Sequence, residues 1–224
     1  MYEFYEFFAG GGMARAGLGA GWSCLFANDF DHKKSRVYRE NWHDDVLKTG
    51  DVNDITTSDL PGQADLVWAS FPCQDLSLAG GGAGLRGERS GTFWPFWNLM
   101  GSLSKEGRAP RMIVLENVCG TLTSHKGKDF AAICEAFRQN GYRCGAVVID
   151  AALFVPQSRP RLFIVGVRND VAIPAYLDAT GEAQLWHSRT LVNAYERLPA
   201  RSQKNWIWWA LPEPAKRNIT FAEL

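Results

Sequence analysis

Short apolar stretches rich in Val, Ile and Phe recur along the first 170 residues, at 5–8, 24–27, 66–70, 112–115, 145–149 and 162–167. Each is of strand length. Stretches of helical pattern lie between several of them, at 13–20, 34–41, 93–103 and 129–140. This alternation predicts an α/β fold with a doubly wound, mostly parallel sheet and helices on both faces. Ligands of such sheets sit outside the carboxyl ends of the strands, and the candidate motifs below all fall there. After Asp170 the pattern breaks. Residues 171–224 read as an extension of the 1–170 unit, whose aromatic cluster Trp206, Trp208 and Trp209 could pack on the sheet or dock a further part of the protein, docking being the preferred reading. The glycine-rich, charged stretch 80–91 is expected to be a functional loop.

Composition adds exclusions. Over 224 residues, hydrophobic positions make up 46% and charged ones 21%, which fits a packed domain and not a disordered chain. No apolar run is long enough for a membrane span, and the first residues lack the basic start and apolar core of a secretory signal. A soluble, cytoplasmic protein is the expectation. With 24 basic and 24 acidic side chains the formal net charge is +0, whereas a protein gripping nucleic acid unaided usually has a basic footprint. Any such grip must come from a local patch or from another part of the protein. The cysteines Cys24, Cys73, Cys119, Cys134 and Cys144 form no CxxC pair and no metal spacing, so free thiols and no metal are expected.

The first motif, Phe7-Phe8-Ala9-Gly10-Gly11-Gly12, follows a strand and opens a helix. Glycines there let the backbone turn tightly and approach a ligand. Such a turn alone serves many nucleotide folds, nicotinamide and flavin oxidoreductases included. The next strand ends in Asn28-Asp29-Phe30-Asp31. Asp29 is read as an acceptor for ribose hydroxyls, Phe30 as a surface for an adenine ring and Asp31 as the cap of the following helix. For Asp51, in Gly50-Asp51-Val52, a cap and a contact to an adenine amino group both stay open.

The stretch Ser70-Phe71-Pro72-Cys73-Gln74-Asp75-Leu76-Ser77 places a thiol at a strand's carboxyl end, behind a proline that stiffens the turn. A thiolate there is a candidate for covalent catalysis. Glu116, in Leu115-Glu116-Asn117-Val118, is a candidate proton donor at the end of another apolar strand. In Gln157-Ser158-Arg159-Pro160-Arg161, alternate residues of an extended segment face one side, so Arg159 and Arg161 are expected to point together at a carbonyl oxygen.

These motifs, in this order between Glu3 and Asp170, resemble the DNA cytosine-5 methyltransferases. The resemblance implies a Rossmann-like methyltransferase fold and S-adenosyl-L-methionine held by Phe8, Gly10, Gly12, Asp29, Phe30, Asp51 and Val52, with Pro72 lining the site. It implies Cys73 as nucleophile toward cytosine carbon 6, Glu116 at ring nitrogen 3 and Arg161 at the carbonyl oxygen. Gln74, Ser77 and the 80–91 loop would close over DNA, and the target base would leave the duplex. The expected setting is a bacterial or phage restriction–modification system associated with the nucleoid. Two departures stand out: Met13 occupies a place where the family carries glycine, and no target-recognition region is evident beyond 204–224, which reads as its lead-in. A C-terminal half or second subunit is therefore an expected partner. An RNA cytosine-5 methyltransferase and a non-catalytic cofactor-binding fragment are the alternatives.

Overall fold

A computed structural model describes residues 1–43, 45–73, 84–87, 90–179, 181 and 185–216. Gln74, Ser77, half of the 80–91 stretch and 217–224 lie outside the described residues. Strand β1 (Tyr2–Phe7) leads to helix α1 (Met13–Leu18), then β2 (Trp22–Asp29), α2 (His32–Trp42), β3 (Leu47–Thr49) and β4 (Leu66–Ala69). Next come α3 (Phe93–Lys105), β5 (Met112–Asn117), α4 (Lys128–Gln139), β6 (Tyr142–Asp150) and β7 (Pro160–Arg168). Beyond them lie β8 (Asp178–Ala179), α5 (Arg189–Glu196), α6 (Ala200–Gln203) and β9 (Trp208–Trp209). Every predicted strand and helix of the first 170 residues falls on one of these elements.

Seven strands form one sheet in the order β3-β2-β1-β4-β5-β7-β6. The pairs among β1 to β5 are parallel, whereas β7 runs antiparallel to both β5 and β6. The cause is the connection. Only residues 151–159 join β6 to β7, too few for the crossover a parallel return requires, so the two strands form a hairpin.

Alternation along β1 sends Tyr5 and Phe7 to the face covered by α3 and α4, where they meet Phe96, Ile113, Leu115, Phe137 and Ile164. Full burial of each such side chain contributes about 1.5–3 kcal/mol. Phe4 points the other way, into a second cluster with Cys24, Tyr38, Leu66 and Val114 beneath α2. Helix α1 buries none of its own residues, and Met13 is largely exposed. The fold is doubly wound as expected.

The C-terminal aromatics were expected to dock another part, but the structure packs them on the sheet. Trp209 is buried against Val147, Val167 and Ile207, and its Nε1 donates to the Val165 carbonyl at 3.3 Å. Trp206 packs edge-on to Phe130 and beside Tyr195. The Cys144 N–H donates to the Asn205 carbonyl and the Ile207 N–H to the Cys144 carbonyl, which stitches this segment to β6. Glu135 of α4 adds a polar clasp, accepting from Arg138, from Arg201 and from the Ser202 hydroxyl.

Candidate active site

At the carboxyl end of β1 the chain turns through Phe8, whose φ of 55° is left-handed. That conformation is uncommon for a bulky residue and concentrates at functional sites. Gly10 and Gly12 are also left-handed, with φ of 58° and 82°. The two glycines answer different needs. A Cβ added at Gly10 would meet nothing within 4 Å, so this side of the turn is open. A Cβ at Gly12 would enter the indole of Trp42, lying 2.8 Å from Cδ1 and 2.9 Å from Cε2. Helix α2 also holds the turn through the Gly11 carbonyl, which accepts from Asn41 Nδ2 at 2.9 Å and Trp42 Nε1 at 3.3 Å.

Asp29 ends β2 and is buried. Its Oδ2 accepts the Gly10 N–H at 2.8 Å and its Oδ1 the Asp31 N–H at 2.8 Å, which locks the glycine turn to the end of β2. Asp31 caps α2, and the N–H groups of Lys34 and Lys33 hold its carboxyl below the usual carboxylate range. Phe30 stands 73% exposed at the rim. Asp51 lies just past β3 and caps the turn Val52–Asp54, its Oδ1 accepting from Asn53 N and Nδ2. Val52 is buried beneath it.

Pro72 and Cys73 follow β4 on a partly exposed turn. The turn is pinned to β5, because the Asn117 side-chain amide donates to the Phe71 carbonyl at 3.0 Å. Glu116 precedes Asn117, and Arg161 Nε donates to Glu116 Oε1 at 3.1 Å, with both side chains 23% exposed. The antiparallel direction of β7 makes this pair possible. Its first residues lie beside the last residues of β5, with Asn117 opposite Leu162, so Arg161 arrives at the same sheet edge as the parallel strands' carboxyl ends. β7 starts at Pro160, which leaves Arg159 outside the strand and exposed, its backbone N–H donating to Asp150 Oδ1 at 2.7 Å.

All five cysteines are free. Burial pushes the Cys24 thiol up to about 11 and raises Cys119, for which the nearby Arg161 charge acts in the opposite direction. Cys134 sits fully buried against Cys144, and burial keeps its thiol protonated.

Sequence reasoning gave no role to four residues that shape this edge. Asn28, buried, donates through Nδ2 to the carbonyls of Lys48 and Gly50 and so ties the end of β3 to β2. Asn117 braces the cysteine turn, Trp42 props the glycine turn, and Glu6 lies buried inside β1. The two asparagines stand within the quoted motifs. Trp42 and Glu6 carry no local signal.

Comparison with known proteins bears on the same residues. The family model described as C-5 cytosine-specific DNA methylase matches residues 2–210. Type II methyltransferase M.NgoFVII of Neisseria gonorrhoeae is 34% identical over 195 residues, covering 83% of this chain and 50% of the relative. Type II methyltransferase M.HaeII of Haemophilus aegyptius is 35% identical over 167 residues, covering 74% and 50%. The chain spans about half the length of these relatives. Among solved structures, the Schizosaccharomyces pombe (S. pombe) Dnmt2 methyltransferase superposes with a TM-score of 0.63 at 22% identity, covering 78% of this chain and 53% of that one. A prophage-encoded putative DNA modification methyltransferase from E. coli gives 0.61 at 19% identity, covering 81% and 51%. At such identity the structures speak for the fold, a Rossmann-like methyltransferase sheet, and the family match speaks for the lineage. The chain belongs to the C-5 cytosine-specific DNA methylase family.

Proposed function

We propose that residues 1–170 bind S-adenosyl-L-methionine and transfer its methyl group to carbon 5 of a cytosine in DNA. Residues 171–224 then lead toward a target-recognition region, carried by a C-terminal half or a second subunit. The neutral net charge fits that division, since the recognition region would supply much of the grip on DNA. Among the described residues no helix is long and apolar enough to cross a membrane.

The cofactor fits the residues present. Open space beside Gly10 leaves room along the turn, and the carboxylates of Asp29 and Asp51 retain accepting capacity for ribose hydroxyls and an adenine amino group. Phe8, Gly12, Phe30, Val52 and Pro72 would complete the enclosure. When bound, the cofactor supplies a methyl group on a positively charged sulfur, open to attack by a carbon nucleophile.

The protein's part is to make cytosine carbon 5 such a nucleophile. The Cys73 thiolate adds to carbon 6, the new S–C bond pushes electrons toward nitrogen 3, and Glu116 delivers a proton there. The resulting enamine would make carbon 5 nucleophilic toward that methyl, with the cofactor's sulfur leaving as a neutral thioether when the methyl–sulfur bond breaks. A solvent water or hydroxide then takes the carbon 5 proton as the thiolate leaves carbon 6, and the nitrogen 3 proton returns to Glu116. Arg161 holds Glu116 and reaches the ring's carbonyl oxygen. A base inside a duplex is out of reach of this edge, so the cytosine is flipped out.

The observation that carries this reading is the Glu116–Arg161 pair at 3.1 Å on the strand next to the Asn117-braced cysteine turn. The test presents 5-fluorocytosine duplex DNA and the matching RNA, with S-adenosyl-L-methionine, to the chain complemented by a recognition half. A covalent adduct on DNA, lost in Cys73→Ala, is the expected result. An adduct on RNA alone would move the substrate to RNA. Cofactor binding with no adduct on either would refute the covalent mechanism and leave a binding fragment.

A further inference from the structure

We infer that Glu6 is a positioning residue, holding the glycine turn in its binding shape by capping helix α1 from inside the sheet. The inference rests on the cofactor reading above and adds a residue that none of the motifs includes.

Helix α1 lacks a cap of its own. Its N-cap is Gly12, which has no side chain, and its first turn contains no acidic residue. Another residue at position 12 is disfavoured, because a Cβ there would enter the Trp42 indole. The first amides of α1 must therefore find an acceptor elsewhere. Glu6 provides it. Strand alternation turns its side chain to the face of α1 and α2, where it is 1% exposed and accepts from the backbone N–H groups of Arg15 and Ala14.

The charged and titratable groups around it come from three elements: Arg15 on α1, Tyr38 on α2 and Cys24 on β2. Arg15 donates to the Tyr38 hydroxyl at 3.2 Å and lies 4.5 Å above the Trp42 ring. Glu6 thus connects through α1 and Arg15 to the same indole that props Gly11 and Gly12. Without its carboxylate, α1 can shift, and the turn from Gly10 to Gly12 shifts with it. Glu6 Oε2 has no hydrogen-bond partner among the described residues, leaving a place for a proton. Burial pushes the acid up to about 7, so its charge changes near neutrality.

The test measures S-adenosyl-L-methionine affinity of the full chain by calorimetry, in Glu6→Ala and Glu6→Gln, with Ile133→Val on the opposite face as a mild core control. Glu6→Ala is expected to weaken binding about five- to tenfold, the size of losing one helix cap. Glu6→Gln, whose amide oxygen still accepts, should bind within about twofold of wild type and lose the small inflection, of up to about twofold, expected near pH 7 in wild type. Ile133→Val should leave affinity unchanged. If Glu6→Ala folds and binds as wild type, or if Glu6→Gln binds as poorly as Glu6→Ala, the positioning role is wrong. Should Glu6→Ala fail to fold, the Glu6→Gln affinity and pH profile decide alone. Wild type that binds no cofactor would instead overturn the cofactor reading.

Discussion

Replacing Gly12 with alanine should cost far more stability than the same change at Gly10, although the two glycines share a motif and a left-handed backbone. At Gly10, with φ of 58°, the new methyl enters open space, so the cost is the left-handed conformation, about 1–2 kcal/mol. At Gly12 the same backbone cost applies with φ of 82°, and the methyl also enters the Trp42 ring. Forcing an added carbon into a packed site costs about 1–3 kcal/mol. Displacing the indole also removes its 3.3 Å bond to the Gly11 carbonyl, about 0.5–1.5 kcal/mol more. The total is about 2.5–6.5 kcal/mol, a large share of the roughly 5–15 kcal/mol that holds a domain folded. For a domain of this size each kcal/mol lowers the melting temperature by about 2–4 °C. Thermal and urea unfolding of Gly10→Ala, Gly12→Ala, Trp42→Ala and the Gly12→Ala/Trp42→Ala double variant measure this. The double variant should recover more than about 1 kcal/mol relative to additivity, because the clash is gone. Gly10→Ala should fold nearly as wild type yet bind S-adenosyl-L-methionine poorly. Equal destabilisation at the two positions, or strict additivity with Trp42→Ala, would refute this division of roles.

Asn117→Ala should cost about 1–3 kcal/mol, since it strands the buried Phe71 carbonyl and the Val118 N–H. It should also slow adduct formation at Cys73 more than it weakens cofactor binding, which comparison of trapping rates with calorimetric affinities would reveal. The clasp at Glu135 should matter in acid. Its hydrogen bond to Arg138 is the main cause that holds the carboxyl at about 2, below the ordinary 4.5. A lowered folded value means the stabilisation is complete above 4.5 and fades as pH falls toward 2. Acid unfolding of wild type should therefore be steeper over that window than that of Glu135→Gln, and equal slopes would remove the clasp from the account.

The strands and helices of the first 170 residues were legible because runs buried on both faces leave continuous apolar stretches. The direction of β7 was not, since an apolar run reads alike either way; only the short 151–159 connection encodes it. The tryptophans at 206–209 misled because an apolar cluster looks the same whether it covers its own sheet or a partner. At the site, Cys73, Glu116 and Arg161 stood out through their motifs, whereas Glu6, a single acid within an apolar strand, carried no such signal. Its burial depends on α1 and α2 closing over it, which no local pattern records. The contrast between Gly10 and Gly12 also depends on a distant side chain, Trp42.

The hairpin that brings Arg161 to Glu116 separates changes of length that the fold can absorb from those it cannot. Asp150 gathers the Ala152 and Arg159 amides and the Ser158 hydroxyl, so the bend closes on one carboxylate and is insulated from the strands it joins. Residues added at the tip of that bend would lengthen a surface excursion and leave the ladder below untouched. A single residue inserted between Arg161 and Leu162 would leave the ladder from Leu162 onward in register but turn the guanidinium to the opposite face, away from its acid.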